Sequence, residues 1–74
     1  MTTEEALRKA MDIRGVRFMD LAERMGIATN TLAGRIKSKN ISVDKLNDVL
    51  EALDYEIVLM PTGTELNRYE FRIK

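Results

Sequence analysis

The sequence contains no cysteine and no histidine among its 74 residues. These absences exclude disulfide frameworks, the usual zinc sites, thiol nucleophiles and imidazole acid–base catalysis. Glycine (four) and proline (one) are scarce, whereas hydrophobic residues make up 45% and charged residues 32% of the chain. This composition is typical of a folded domain and not of a disordered or low-complexity segment. A chain of this length suffices for one small domain with a modest core.

Long hydrophobic runs are also missing. The longest is Ile57–Met60, whereas a membrane-spanning helix needs roughly 20 apolar residues. The chain begins Met1-Thr2-Thr3-Glu4-Glu5, which is polar and acidic where a secretory signal would be basic and then apolar. We therefore expect a cytoplasmic protein that binds no membrane. Because no Gly-rich phosphate loop, metal-ligand cluster or nucleophile–base pair is evident, we expect no enzymatic activity, cofactor, metal or small-molecule ligand.

The charge is balanced overall but divided unevenly along the chain. Residues 1–40 carry eight Lys/Arg and five Asp/Glu, and residues 41–74 carry four and seven. The stretch from Arg24 to Asn40 contains four cations and no acid. This stretch is where a polyanion could be held, although a short basic stretch can also be ordinary solvated surface.

Four segments have the apolar periodicity of amphipathic helices. The first starts at Thr2 or Thr3, where Thr2 and Glu5 have capping-box spacing, and it stops at Gly15. The third keeps only a thin apolar face, so we expect it to expose most of its surface. The fourth begins at the capping residue Ser42 and carries the stripe Val43, Leu46, Val49, Leu50 and Leu53. The second and third helices are predicted over about Phe18–Met25 and Thr29–Ser38.

Beyond Asp54 the sequence favours β-structure. The segment 55–60 is rich in β-branched and aromatic residues, Pro61–Thr64 has turn chemistry, and residues 68–74 alternate charged and apolar side chains. We therefore predict a mainly α fold of four to five helices over residues 1–54, followed by a C-terminal β-hairpin over residues 55–74 of the same domain.

Residues 18–38 have the outline of a helix-turn-helix. Small Ala22 lets the two helices approach, and Gly26 allows the sharp turn between them. In order and spacing, Leu21-Ala22, Gly26-Ile27, Ser38-Lys39-Asn40 and Ser42 resemble the Cro and phage-repressor type of helix-turn-helix protein, also called XRE-like. The resemblance covers roughly residues 5–54 and implies a phage-repressor-like fold that binds double-stranded DNA. In this sequence Phe18 replaces a frequent Gln, Ala28 replaces a frequent capping Ser, and Arg35 replaces a frequent apolar residue.

The resemblance implies a reading helix over about residues 29–38 in the major groove. Candidate base-reading residues are Thr29, Asn30, Gly34 and Arg35, of which Gly34 has no side chain and would permit close approach of the backbone. Candidate contacts to the DNA backbone are Arg17, Phe18, Thr31, Lys37, Lys39 and Asn40. Asn bonds well to adenine and a Thr methyl packs on thymine. A competing interpretation is that Thr29 and Asn30 only cap the helix and that the lysines are solubilising surface.

A reading unit of this size usually binds as a dimer, because two half-sites supply the area that one short helix lacks. We predict a homodimer through the C-terminal hairpin, since an isolated hairpin is marginal in water and its free edge invites pairing. The predicted interface comprises Tyr55, Ile57, Val58, Met60, Tyr69, Phe71 and Ile73. The alternative is that Tyr69, Phe71 and Ile73 fold back to complete a monomeric core.

The sequence thus predicts a sequence-specific transcriptional regulator, a repressor of phage, mobile-element or bacterial origin. The alternative function is a helix-turn-helix fold used as a protein-interaction module, such as an antitoxin-like partner or an anti-repressor. The cation-only stretch favours the first function, and the acidic second half favours the alternative.

Overall fold

The computed structural model describes residues 1–73, and all four predicted helices are present in it. They are α1 (Thr3–Arg14), α2 (Phe18–Met25), α3 (Thr29–Lys37) and α4 (Val43–Glu51). None of the helices in this range is both long and apolar enough to cross a membrane. Lys74, the last residue of the predicted hairpin, lies outside the described residues.

The N-termini of α1 and α4 form where the sequence predicts them. The Thr2 hydroxyl accepts a hydrogen bond from the Glu5 backbone amide (3.2 Å), and the Thr2 amide donates to the Glu5 carboxylate (3.0 Å). This capping box satisfies two backbone groups that an isolated helix end would leave unpaired. Ser42 caps α4 in the same way, because its hydroxyl accepts from the Lys45 amide at 3.2 Å.

A common backbone motif ends α1, α2 and α4. In each case a backbone amide just beyond the helix donates to the carbonyl five residues earlier, and the residue before the donor adopts the left-handed conformation. The three bonds are Val16 N to Met11 O (3.0 Å), Ile27 N to Ala22 O (3.1 Å) and Tyr55 N to Leu50 O (2.9 Å). The left-handed residues are Gly15 (φ 64°), Gly26 (φ 67°) and Asp54 (φ 57°). Of the three, only Asp54 carries a side chain, so its left-handed conformation has a steric cost.

The apolar stripes of the four helices meet in one core. Its most deeply buried side chains are Leu7, Leu21, Leu32, Ile36, Val49 and Leu53. The stripe predicted for α4 is correct at Leu46, Val49, Leu50 and Leu53 but wrong at Val43, which is 69% exposed. Val43 is the first residue of α4 and lies beyond the edge of the core.

The predicted C-terminal β-hairpin is wrong. Residues 55–60 and 68–73 contain no strand, and turns at Pro61–Thr64 and Asn67–Glu70 interrupt the chain (Thr64 N to Pro61 O, 3.2 Å; Glu70 N to Asn67 O, 3.1 Å). The alternating pattern shows that a segment could pair, but a strand also needs a partner, and a lone two-stranded hairpin gains too little from pairing. Local bonds are made instead, such as that from the Asn67 amide to the Glu70 carboxylate (2.7 Å).

The C-terminal segment is nevertheless attached to the core by side chains. Tyr55 and Phe71 are half-buried and pack against the core cluster, whereas Tyr69 (46% exposed) and Ile73 (44%) do not. Of the three residues that could fold back to complete the core, Phe71 alone does so. The apolar run Ile57–Met60 remains exposed, and Leu59 is 96% accessible to solvent.

Candidate nucleic-acid interface

Helices α2 and α3 form a compact two-helix unit joined by a tight turn. Leu21, Leu32 and Ile36 are completely buried, and Ala22 is only 2% exposed. Gly26 ends α2 in the left-handed conformation, and Ala28 leads into α3 with an extended backbone (φ −69°, ψ 149°). The predicted helix, turn and helix are therefore confirmed as local structure.

One face of α3 is free of the rest of the molecule. At 100° per residue, Asn30, Gly34 and Lys37 lie opposite the buried Leu32 and Ile36, and all three are exposed. A Cβ atom built on Gly34 would meet no atom within 4 Å beyond the adjoining backbone of its own helix. We call this surface the α3 outer face (Asn30, Gly34 and Lys37). It carries no bulky apolar side chain and is open to solvent.

The first turn of α3 has no side-chain cap. Ala28 occupies the cap position, no acidic residue lies in the first turn, and no side chain bonds to the free amides. The interpretation that Thr29 and Asn30 serve only to cap the helix is not supported, since neither side chain makes that bond. The positive end of the helix dipole and its unpaired amides thus face solvent beside Thr29 and Asn30.

The exposed lysines at the end of α3 make no ion pair in the described part of the chain. Both side-chain ion pairs of residues 1–73 lie outside the stretch from Arg24 to Asn40, one between Arg8 and Glu4 (3.0 Å) and one between Arg17 and Asp20 (3.3 Å). Lys37 and Lys39 are exposed and have no carboxylate within salt-bridge distance in the described part of the chain. A polyanion could therefore approach α3 without first displacing an internal carboxylate.

Arg35 lies away from the α3 outer face. It is half-buried and lines a groove of about 460 Å³ between the two-helix unit and α4. The groove is also lined by Arg24, Met25, Ile27, Asp48, Glu51 and Ala52. Of the four residues predicted to read bases, Arg35 is thus the one at the flank of the helix, whereas Thr29, Asn30 and Gly34 are exposed.

The side chains at the start of α2 differ in their exposure to solvent. Phe18 is half-buried and packs against the core. Arg17 is exposed and bonds through Nε to Asp20 (3.3 Å). Met19 is 73% exposed, which shows that only one of the two apolar residues here belongs to the core.

The remaining predicted backbone contacts lie at both ends of α3. Thr31 is exposed in its first turn, and Lys39 and Asn40 form an exposed turn after its last residue. The backbone N–H of Asn40 already donates to the Ser38 hydroxyl (3.3 Å). Its side chain is therefore the part left for a ligand.

From the sequence, the arginines near the ends of α1 and α2 are expected to be solvated or to form salt bridges. Arg14 and Arg24 donate instead to backbone carbonyls at the end of α4. The one signal in the sequence is that α4 has no basic residue in its own last turn, although cations stabilise a helix C-terminus.

An exposed helix that carries unpaired lysines at its end and follows a tight glycine turn is typical of a helix-turn-helix DNA-binding domain. A comparison with known protein families matches residues 6–57 to the Cro/C1-type HTH DNA-binding domain. The chain belongs to this family, and the resemblance noted in the sequence is confirmed. It is accordingly a DNA-binding regulator whose ligand is double-stranded DNA. No curated protein and no solved structure matches the chain significantly.

Proposed function

We propose that the protein is a sequence-specific transcriptional repressor that binds its operator as a homodimer in the cytoplasm. The observation that carries this proposal is the α3 outer face, where an amide side chain, a glycine and a lysine lie on a helix surface with no internal partner. The major groove of B-DNA is wide enough to admit one such helix.

We assign residues to base edges or to phosphates according to their position and exposure on the helix-turn-helix. Asn30 and Thr29, beside the uncapped amides, read base edges, and Gly34 lets the helix approach the groove closely. Arg17, Thr31, Lys37, Lys39 and Asn40 contact phosphates, and Phe18 contributes through its backbone amide. Arg35 reaches the DNA only from the flank of α3, so we assign it the smallest part of the sequence preference.

The proposed dimer contact is the exposed apolar run Ile57–Met60, together with Tyr69 and Ile73. Four consecutive apolar side chains, one of them 96% exposed, are unusual on the surface of a soluble monomer. Tyr55 and Phe71 pack in the core of their own chain and are removed from the predicted interface. The contact needs no hairpin, because it is made by apolar side chains.

The same apolar run is the observation that favours the second candidate, a protein-interaction module. An antitoxin-like or anti-repressor protein would present this surface to a different protein, and the acidic second half of the chain would favour a basic partner. The two candidates differ in whether purified protein alone selects a DNA sequence.

The deciding experiment is in vitro selection from a random duplex pool at moderate salt with the purified protein. Enrichment of an inverted repeat with half-sites about 10 base pairs apart supports a homodimeric operator-binding protein. Enrichment of a single half-site supports DNA reading but contradicts the dimer. Failure to enrich any sequence, while the protein remains folded by circular dichroism, contradicts the repressor and favours the interaction module.

The dimer is tested separately by sedimentation velocity. Leu59→Ser should shift a dimer toward monomer, whereas Val43→Ser changes another highly exposed apolar residue (69%) outside the proposed contact. A monomeric wild-type protein, or equal effects of both changes, would contradict the proposed interface.

A further inference from the structure

Two arginines from different helices converge on the carboxyl end of α4. Arg14, the last residue of α1, donates through Nε to the Leu53 carbonyl (3.0 Å) and through Nη2 to the Asp54 carbonyl (2.9 Å). Arg24, in the last turn of α2, donates through Nη1 to the Ala52 carbonyl (3.1 Å). Three consecutive carbonyl oxygens, of residues 52 to 54, are thus held by two guanidinium groups.

The electrostatics of α4 explain why cations are needed there. The carboxyl end of a helix carries a partial negative charge, and α4 has Glu51 and Asp54 near that end but no basic residue in its last turn. The guanidinium groups supply the compensating charge from outside the helix. Charge-assisted bonds from a planar fork are strong and directional, and the Arg14 fork also lies 5.3 Å from the centre of the Tyr55 ring.

The bond from Arg24 joins the helix-turn-helix to the chain that follows α4, and the two bonds from Arg14 join α1 to the same place. Arg24 belongs to α2, the first helix of the helix-turn-helix, and lies two residues before Gly26. Ala52–Asp54 lie directly before the segment that contains Ile57–Met60, the proposed dimer contact. The acceptors are backbone atoms, so the bonds fix where the chain leaves α4 whatever side chains follow.

In a two-fold dimer, this connection decides how far apart the two α3 helices lie. A dimer with a rigid connection binds tightly at only one half-site spacing. A dimer with a loose connection binds several spacings with similar affinity, because its second subunit can reach the second half-site over a broad range of distances. We propose that Arg14 and Arg24 are positioning residues that set the half-site spacing of the operator. The proposal rests on the homodimer proposed above and adds to it the residues that define its geometry.

The test uses the selected operator rebuilt with its half-sites moved apart or together by one and two base pairs. Arg14→Met and Arg24→Met keep the apolar stem and good helix propensity but remove the donors. Arg8→Met is the matched control, since Arg8 lies on the same helix as Arg14 and pairs locally with Glu4 (3.0 Å). For each protein we compare the Kd for the altered spacing divided by the Kd for the selected spacing. A loss of phosphate attraction that weakens binding to all operators equally leaves this ratio unchanged.

The expected result is a fall in this ratio of about fivefold or more in Arg14→Met and Arg24→Met, with no change in Arg8→Met. Sedimentation velocity and thermal unfolding are measured on the same samples. An unchanged ratio in dimeric variants whose Tm is lowered would show a merely structural role and overturn the inference. A wild-type protein that is monomeric overturns the dimer itself, which is seen before any DNA is added. If one variant fails to fold, the other decides the question.

Discussion

The rings of Tyr55 and Phe71 stack with their centroids 6.1 Å apart and their planes inclined by 18°. A cation of α1 covers each ring, with Arg14 5.3 Å from the centre of Tyr55 and Lys9 5.4 Å from the centre of Phe71. The two aromatic residues lie at opposite ends of an otherwise irregular segment. The segment is therefore attached to α1 at both of its ends, although it forms no hairpin.

Removing one ring should detach the far end of this segment. Phe71→Ala is expected to lower the free energy of unfolding by about 1–2 kcal/mol, less than for a fully buried ring because Phe71 is half-buried. The measurement is urea unfolding followed by circular dichroism. Ile73→Ala is the control, since Ile73 is 44% exposed and should change little. Equal effects of the two substitutions would contradict the stacking role.

The left-handed residues at the helix ends predict stability changes of opposite sign. Asp54→Gly should raise the free energy of unfolding by about 0.5–1 kcal/mol, because glycine adopts a positive φ without steric cost. Gly26→Ala should lower it by about 1–2 kcal/mol. An added Cβ at Gly26 meets no atom within 4 Å, so the effect would come from the backbone alone. Thermal unfolding of both variants is the measurement, and a destabilised Asp54→Gly would contradict this account.

Asn30 and Lys37 should affect DNA binding differently. Asn30→Ala is expected to relax the preference at one base position per half-site by about 1–3 kcal/mol, because a bidentate contact is lost. Lys37→Ala should weaken binding to all sequences alike and reduce the salt slope by about 1. Titrations of single-base operator variants at several salt concentrations measure both effects. Lys45→Ala, on α4, is the control cation; if it matched Lys37→Ala, the proposed phosphate contact would be wrong.

A substitution at Gly34 should change the stability of the fold and the affinity for DNA in opposite directions. Gly34→Ala should raise the free energy of unfolding by about 0.5–1 kcal/mol, because the free protein has room for the methyl group and alanine favours a helix. The same methyl group should weaken operator binding if the α3 backbone lies close to the DNA. Unfolding and operator Kd are measured on one preparation. A stabilised variant with unchanged Kd would place Gly34 away from the DNA.

The capping box of α1 predicts a pH dependence at its acidic member. Hydrogen bonds from the Thr2 amide, and then from its hydroxyl, lower the pKa of Glu5 below its ordinary value of 4.5. A lowered pKa in the folded state means that the carboxylate stabilises the fold above the ordinary pKa, and that this contribution is lost as the pH falls through the lowered value. Glu5→Gln should remove this part of the pH dependence. Unfolding of both proteins between about pH 3 and pH 6 measures it, and parallel curves would contradict the assignment.

Local signals in the sequence were enough to predict the helices. Thr2 with Glu5, Gly26 and Ser42 mark helix ends through bonds that lie within a few residues, so they act almost independently of the rest of the fold. The hairpin prediction failed because it depended on pairing between distant segments. The bonds of Arg14 and Arg24 could not be foreseen either, since their acceptors are carbonyls 28 to 40 residues away and leave no side-chain pattern.

The candidate site was predictable to a similar degree. The sequence predicts that the third helix exposes most of its surface, and the structure exposes Asn30, Gly34 and Lys37 on it. The position of Arg35 was not predictable, because the groove that it lines is bounded by α2 and α4 and depends on how the helices pack together.

The missing cap of α3 bears on how the helix behaves before it meets DNA. α1 closes its first turn with reciprocal bonds, whereas α3 has Ala28 at its cap position, free amides in its first turn and a glycine in its middle. Short helices of this kind open locally and exchange their amide protons sooner than their neighbours. We therefore expect the first turn of α3 to be the part of the helix-turn-helix that the proposed binding of DNA orders most.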